Sequence, residues 1–308
     1  MINKIVAIQG NHPSKLNPIS DTSVFLANEI QNKNYKIFYY DPKDLSVINS
    51  KVMASGFFIK FDYSKNKFFK ILKKQKLNLT KCKFILIRQD PPFNLEYISA
   101  TYMLDTIKDK VKIINNPTSI RNVSEKLYSV KYQKYMPSTI FTQNINEIKN
   151  FFKKHRKVII KPIHSYGGND IHLLNKFNSK VINRFIKKHD HIMCQKYLPK
   201  ISKGDKRVFL INGKVCDAIS RVPKKGSFLS NMSKGAKPIN IQLTKTENKI
   251  SKLIAKDLKK ENIFFAGIDF IDQKLNGDIN VTSPTGLKTL YDLSGINHAK
   301  TFWKELKA

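Results

Sequence analysis

Cysteine is scarce in this chain: Cys82, Cys194 and Cys216 lie far apart, and no two share a C-x-x-C spacing. That argues against a disulfide framework or a thiolate metal cluster and fits a reducing compartment. Each sits in or beside an apolar run, where a buried free thiol is the usual occupant. Long hydrophobic runs are missing too. Nothing approaches the ~18 apolar residues of a membrane span, and the opening MINKIVAIQGNHP breaks after a strand-length segment, which gives no secretory signal. A cytoplasmic protein with no membrane partner is expected. Acidic residues are the third deficit: 23 Asp and Glu stand against 56 Lys and Arg, a formal charge of +33. Such a surplus ordinarily points to nucleic acid or a membrane surface. Here the bases are mostly Lys, spread along the whole chain, and no RNP-like aromatic motif, zinc finger or recognition-helix signature accompanies them. No nucleic-acid partner is expected, although the positive field attracts anionic small molecules such as nucleotides. Walker A loop, dinucleotide fingerprint and internal repeats are all absent.

What is present reads as α/β. A length of 308 residues with 41% hydrophobic content supports two domains, or three small ones. Strand-like segments at 2–8, 35–40, 84–88 and 111–115 alternate with a helix over 21–31, capped by Ser20 or Asp21, and a lysine-rich helix near 65–76. This alternation predicts a parallel sheet, closing near Arg121. The loop Arg88-Gln-Asp-Pro-Pro-Phe93 follows a strand, at the end where open α/β sheets bind ligands. Arg88 and Asp90 there form either a substrate wall or a local ion pair.

The second half carries more chemistry. An apolar strand at 158–161 ends in Lys161, costly to bury unless an anion meets it, and the loop His164-Ser-Tyr-Gly167-Gly168 follows, whose glycines let backbone N–H groups converge on phosphate. Asn212-Gly213 predicts a hairpin that brings Arg207 near Arg221. Residues 223–238 read as a mobile loop, Thr244 with Glu247 as a capping box, and 299–306 as a terminal helix. The rest is organised around FFAGIDFIDQKLNGDINVTSPT, residues 264–285. Asn276-Gly277 between apolar runs predicts a hairpin turn, placing Asp269, Asp278 and Asn280 on one face. Three oxygen ligands suit Mg²⁺, which takes further oxygens from a nucleotide's phosphates. The same spacing also suits an ordinary hairpin with a polar solvent face.

The strings RQDPPF, NNPTSIRNVSEKLY, QKYLP, GDKRVFLINGKV and GIDFI…DINVTSPTG, in this order, resemble the successive motifs of the prokaryotic glutathione synthetase family. The resemblance implies an N-terminal α/β, parallel-sheet domain over 1–121 and a two-subdomain α+β ATP-grasp region over 122–308. Within that region the lid subdomain would cover about 122–198 and the catalytic subdomain about 199–308. It implies an ATP-dependent ligase that phosphorylates γ-glutamylcysteine and joins it to glycine, with Mg²⁺ or Mn²⁺ as metal, in a homotetramer. By the match, Lys126, Lys161, Gly167, Gly168, Gln195, Lys196, Tyr197, Leu198 and Asp205 contact ATP, and Asp269, Asp278 and Asn280 hold the metal. Arg207, Arg221 and Asn280 serve catalysis, while Asp21, Ser23, Arg88, Asp90, Asn231, Ser283 and Thr285 hold substrate. The chain departs from the family's pattern at Asp278 (usually Glu, with the hairpin one residue longer here), Leu229 (usually Arg), Gly235-Ala236 (usually Gly-Gly), Lys288-Thr289 (usually Arg-Glu) and His164-Ser165 (usually Asp-Gly).

Overall fold

A computed structural model describes residues 4–63 and 67–308. Its first sheet has seven strands. β1 (Ile5–Gln9) leads to α1 (Thr22–Gln31), whose first turn is capped by the Asp21 carboxylate accepting from the Val24 N–H. There follow β2 (Lys36–Tyr40), β3 (Leu45–Ile48), β4 (Lys51–Phe61), β5 (Phe69–Asn78), β6 (Phe84–Ile87), α2 (Leu95–Asp105), β7 (Lys112–Ile114) and α3 (Pro117–Asn122). The order is β3-β4-β2-β1-β6-β7, with β5 beside β4. Strands β2, β1, β6 and β7 are parallel as expected, but β4 pairs antiparallel with β2, β3 and β5, so the sheet is mixed.

The lysine-rich helix is a misreading: residues 69–78 are a strand, and residues 65 and 66 lie outside the described residues. Lysine favours helix only weakly, and β4 offers a long unpaired edge that β5 fills from Met53↔Asn78 to Phe61↔Phe69. The lysines then line an outer edge, where they discourage pairing with another chain.

The second sheet is four-stranded and antiparallel, ordered β10-β9-β11-β8. It comprises β8 (Thr139–Thr142), β9 (Val158–Pro162), β10 (His172–Leu174) and β11 (Ile192–Lys196), backed by α4 (Ile145–His155) and α5 (Ser179–His189). Ile148, Phe152, Ile160, Ile182 and Cys194 form its separate apolar cluster. The third sheet, ordered β14-β13-β12-β15-β16, contains β12 (Asp205–Ile211), β13 (Lys214–Val222), β14 (Lys237–Ile241), β15 (Phe265–Ile271) and β16 (Lys274–Asn280). Helix α6 (Lys245–Lys260) opens with the expected capping box, and α7 (Leu287–Ser294) and α8 (His298–Glu305) complete the fold.

The hairpin at Asn212-Gly213 forms as read, both residues having positive φ. The one at Asn276-Gly277 does not. The turn is Asp272-Gln273, φ 48° and 61°, and Asn276 and Gly277 lie inside β16. Register runs Gly267↔Asn280, Ile268↔Ile279 and then Phe270↔Leu275, so Asn276, Gly277 and Asp278 stand opposite the single Asp269. The early turn lets both Leu275 and Ile279 enter the core, and the left-handed backbone of Gly277 (φ 81°) forms a bulge instead. A Cβ on Gly277 would meet Met193 Cε at 2.4 Å and Met136 Cε at 2.9 Å, so the bulge fits tightly against the second sheet.

The first and third sheets share one core that includes Val6, Ile8, Phe84, Phe209, Phe302 and Trp303. Asn115 stitches them at the backbone. Its Oδ1 accepts from the Phe264 and Phe265 N–H groups at 2.9 and 2.8 Å, and its Nδ2 donates to the Phe265 and Val281 carbonyls at 2.7 and 2.6 Å. No helix among the described residues is long and apolar enough to cross a membrane.

Candidate active site

A cavity of about 490 Å³ lies where the three sheets meet. That is within the ~300–1,000 Å³ common for small-molecule sites. Asp21, Asp90, Lys126, Lys161, Gly167, Gly168, Gln195 to Leu198, Asp205, Arg207, Arg221, Asn231, Asp269, Asp278, Asn280, Ser283 and Thr285 all line it. Residues spread over some 260 positions thus converge as the sequence reading expected.

Ser23 and Arg88 are not among the lining residues. Both are buried, and the Arg88 Nε donates to Ser23 Oγ at 2.9 Å while its Nη2 donates to the Pro284 carbonyl at 3.0 Å. The Ser283 hydroxyl donates back to the Arg88 carbonyl at 3.2 Å. Arg88 therefore braces the Ser283–Thr285 turn from behind. Asp90 faces the cavity and accepts from Asn11 Nδ2 at 2.8 Å.

At the centre, two arginines and two aspartates interlock. Because β12 pairs with both neighbours, Arg207 stands opposite Asp269, and Asp205 opposite Arg221. Arg207 clasps Asp269 through Nε–H and Nη2–H at 2.8 and 2.7 Å; Arg221 donates to Asp269 at 2.9 Å and also to both oxygens of Asp205. Burial alone would raise the Asp269 pKa, but the two guanidinium groups outweigh it and hold the carboxyl below its ordinary value. Asp269 is therefore an anion, with two planar cations fixed at the cavity wall.

Beside this network, Lys161, the penultimate residue of β9, reaches across to the bulge. Its ammonium donates to Asp278 Oδ2 at 3.3 Å and to the Asn276 backbone and side-chain oxygens, both at 3.2 Å. Lys126 meets Asp278 Oδ1 at 3.5 Å and donates to the Ser165 carbonyl at 2.9 Å. The lysine side chains are only 6% and 5% exposed. Burial works against ionising Asp278, yet Lys161 and then Lys126 keep its pKa low. Among the described residues the two ammonium groups share one carboxylate, leaving a buried positive charge in surplus beside the glycine loop.

Asp269, Asp278 and Asn280 offer oxygen donors from adjacent strands, and a buried side-chain nitrogen of Asn280 has no partner. Two carboxylates and an amide suit a hard cation with a preference for oxygen. Among the described residues, no group of three His, Cys, Asp or Glu has metal-binding geometry, so this set rests on the asparagine.

Glu125, Lys15 and Asn276 also line the cavity, beyond the residues that the motifs mark. Glu125 Oε1 accepts from the Val281 and Thr282 N–H groups and the Thr282 hydroxyl, at 3.0, 3.1 and 2.8 Å, fixing the segment that carries Asn280 and Ser283. Its position next to Lys126 was the available signal. Lys15 lines the cavity without any motif to announce it, and Asn276 sits in β16 and not in the turn that its Asn-Gly pair suggests. Of the departures, Leu229 lines the cavity, whereas Lys288 pairs with Asp292 and lies away from it.

The chain matches the prokaryotic glutathione synthetase N-terminal domain over residues 5–121 and that family's ATP-grasp domain over residues 125–295. It is 32% identical to a glutathione synthetase of Agrobacterium fabrum over 315 residues, covering 99% of this chain and 96% of the relative. Identity to the one from Buchnera aphidicola subsp. Baizongia pistaciae is 36% over 291 residues, covering 92% and 90%. In fold it is similar to D-cycloserine synthetase DcsG, with a TM-score of 0.66 at 10% identity and 98% of both chains covered. D-alanyl-alanine synthetase A from Vibrio cholerae gives a TM-score of 0.64 at 14% identity, covering 100% of this chain and 98% of that one. The chain belongs to the prokaryotic glutathione synthetase family, ATP-dependent ligases of glutathione biosynthesis built on an ATP-grasp fold.

Proposed function

We propose that the chain joins γ-glutamylcysteine to glycine through an acyl phosphate. The observation that carries this reading is the surplus charge of Lys126 and Lys161, which gives the β- and γ-phosphates of ATP a place next to the Gly167-Gly168 backbone. Gln195 to Leu198 and Ile271, at the other end of this wall, form the adenine pocket. The cysteinyl carboxylate attacks the γ-phosphorus and ADP leaves. The glycine amine then adds to the acyl carbon and gives up a proton, and the tetrahedral intermediate expels phosphate to leave the amide. Arg207 and Arg221, held by Asp269 and Asp205, hold the carboxylate and neutralise charge that develops on the transferred phosphoryl and the oxyanion. Asp21, Asp90, Asn231, Ser283 and Thr285 hold the γ-glutamylcysteine, with Ser23 and Arg88 supporting them from behind.

Asp269, Asp278 and Asn280 would hold Mg²⁺ or Mn²⁺, which when bound supplies neutralising charge to the nucleotide phosphates. In this reading residues 1–121 form the N-terminal domain, about 122–198 the lid and about 199–308 the catalytic subdomain. A cytoplasmic homotetramer accords with the family resemblance, and light scattering on the purified protein tests the assembly.

ADP release with γ-glutamylcysteine, glycine, ATP and Mg²⁺ tests the reading, with turnover dependent on both amino substrates as the expected result. Leu229 at the cavity wall favours one alternative, a ligase of the same architecture with another acid and amine. ADP release that ignores γ-glutamylcysteine but responds to a different carboxylate would select it.

A further inference from the structure

The bulge of β16 puts three polar side chains, Asn276, Asp278 and Asn280, on the cavity face at every second position. The family resemblance gives roles to the last two only. Asn276 nevertheless makes more contacts with the phosphate-side charges than Asn280 does. Its Oδ1 accepts from the Lys161 ammonium at 3.2 Å, its carbonyl accepts from the same ammonium at 3.2 Å, and its Nδ2 donates to Asp278 Oδ2 at 3.4 Å. Bulges near active sites commonly re-aim a side chain, and this one places Asn276 at the cavity wall.

We infer that Asn276 is a positioning residue for the phosphate clamp, orienting Lys161 toward the nucleotide and keeping the short Asp278 carboxylate in line. Lys161 is otherwise an unbranched side chain with four rotatable carbons, and its carboxylate partner is one methylene shorter than a glutamate. Two neutral oxygens from Asn276 fix the ammonium without cancelling its charge. When phosphate oxygens arrive, Lys161 exchanges its bond to Asp278 for one to the nucleotide while Asn276 keeps it in place. Asp278 is thereby freed, still oriented by the Asn276 amide N–H. The charge stays available to the ligand because its holder is an amide and not a second acid.

This inference rests on the nucleotide reading proposed above, and the test separates the two. ADP and adenosine are titrated calorimetrically, without metal, into wild type, Asn276→Ala, Lys161→Met and the double variant. Losing hydrogen bonds to a charged group predicts about tenfold weaker ADP binding in Asn276→Ala. Adenosine affinity and the thermal midpoint should match wild type, because adenosine carries no phosphate. In the Lys161→Met background the same substitution should change ADP affinity less than twofold, since the partner through which Asn276 acts is gone. Asn276→Ser, which keeps a short acceptor, should recover part of the loss and also covers the case in which the alanine variant folds poorly. Unchanged ADP affinity in Asn276→Ala, or an equal loss with and without Lys161, overturns the role of Asn276 alone. Wild-type ADP affinity in Lys161→Met overturns the phosphate reading itself and the inference with it.

Discussion

Arg207 and Asp269 face each other across neighbouring strands, joined by two parallel hydrogen bonds of 2.8 and 2.7 Å, and both are buried. Arg221 also reaches Asp269 but has Asp205 in reserve, so Arg207 is the group that depends on this carboxylate. In Asp269→Asn, turnover should fall at least about 10²-fold, the usual size of effect when charge stabilisation is removed. A buried guanidinium would also be left uncompensated, and stability should fall by roughly 3 kcal/mol. Turnover assays at saturating Mg²⁺ and urea denaturation check the two together; near-normal turnover would show the pair to be structural only.

Lys161 behaves differently because it shares Asp278 with Lys126. Removing one of two ammonium groups leaves a balanced pair. Lys161→Met should therefore lower turnover at subsaturating ATP by raising the apparent KM for ATP about tenfold or more, while the thermal midpoint stays unchanged or rises slightly. A large drop in the midpoint would contradict the surplus-charge account.

The loop holding Leu229 packs on the glycine loop so closely that a Cβ on Gly168 would meet Asn231 Oδ1 at 2.3 Å. Closure thus leaves little room for water at that contact, but Leu229 brings no charge to the acyl phosphate. ATP hydrolysis uncoupled from amide formation is expected, measured as an ADP-to-amide ratio above one. Leu229→Arg should lower that ratio if γ-glutamylcysteine is the substrate. A wild-type ratio of one would mean that closure works by other contacts.

Burial pushes the Cys82, Cys194 and Cys216 thiols up to about 12, with Asp217 adding to the effect at Cys216. All three thus remain thiols at neutral pH, and iodoacetamide at pH 8 should label them rapidly only after unfolding. Between the ordinary value near 9 and about 12, the unfolded chain gives up protons that the native chain keeps. Their contribution to stability is complete below pH 9 and declines as pH rises through that window. Cys216→Ser should flatten part of the decline in denaturation midpoints.

Much of the site was legible because its chemistry sits at the ends of strongly patterned elements. Lys161 lies at the end of an apolar strand, Asp21 caps α1, and Asn212-Gly213 makes the turn that brings Arg221 opposite Asp205, two residues from Arg207. What escaped depended on competition between sites far apart in sequence. Asp272-Gln273 carries no strong turn signature, yet it took the turn because Leu275 and Ile279 both gain burial that way. Likewise, nothing local marks residues 69–78 as a strand; β4 decides it. Arg88 was recognised by its motif, but its role as a brace becomes visible only when Pro284 folds back over it.

Trp303, on α8, donates its indole N–H to the Leu26 carbonyl at 2.8 Å and packs edge-on against Phe84 at 5.8 Å. The cover over the N-terminal sheet is therefore completed by a helix encoded some 180 residues after its last strand. During synthesis that core has only α1 over it until the C-terminal helices emerge, whereas the second sheet, with its cluster drawn from residues 140–194, has its apolar partners within a short span of chain. A truncation before Trp303 would spare every residue that lines the cavity and still uncover the N-terminal core, producing loss of function through aggregation and not through chemistry.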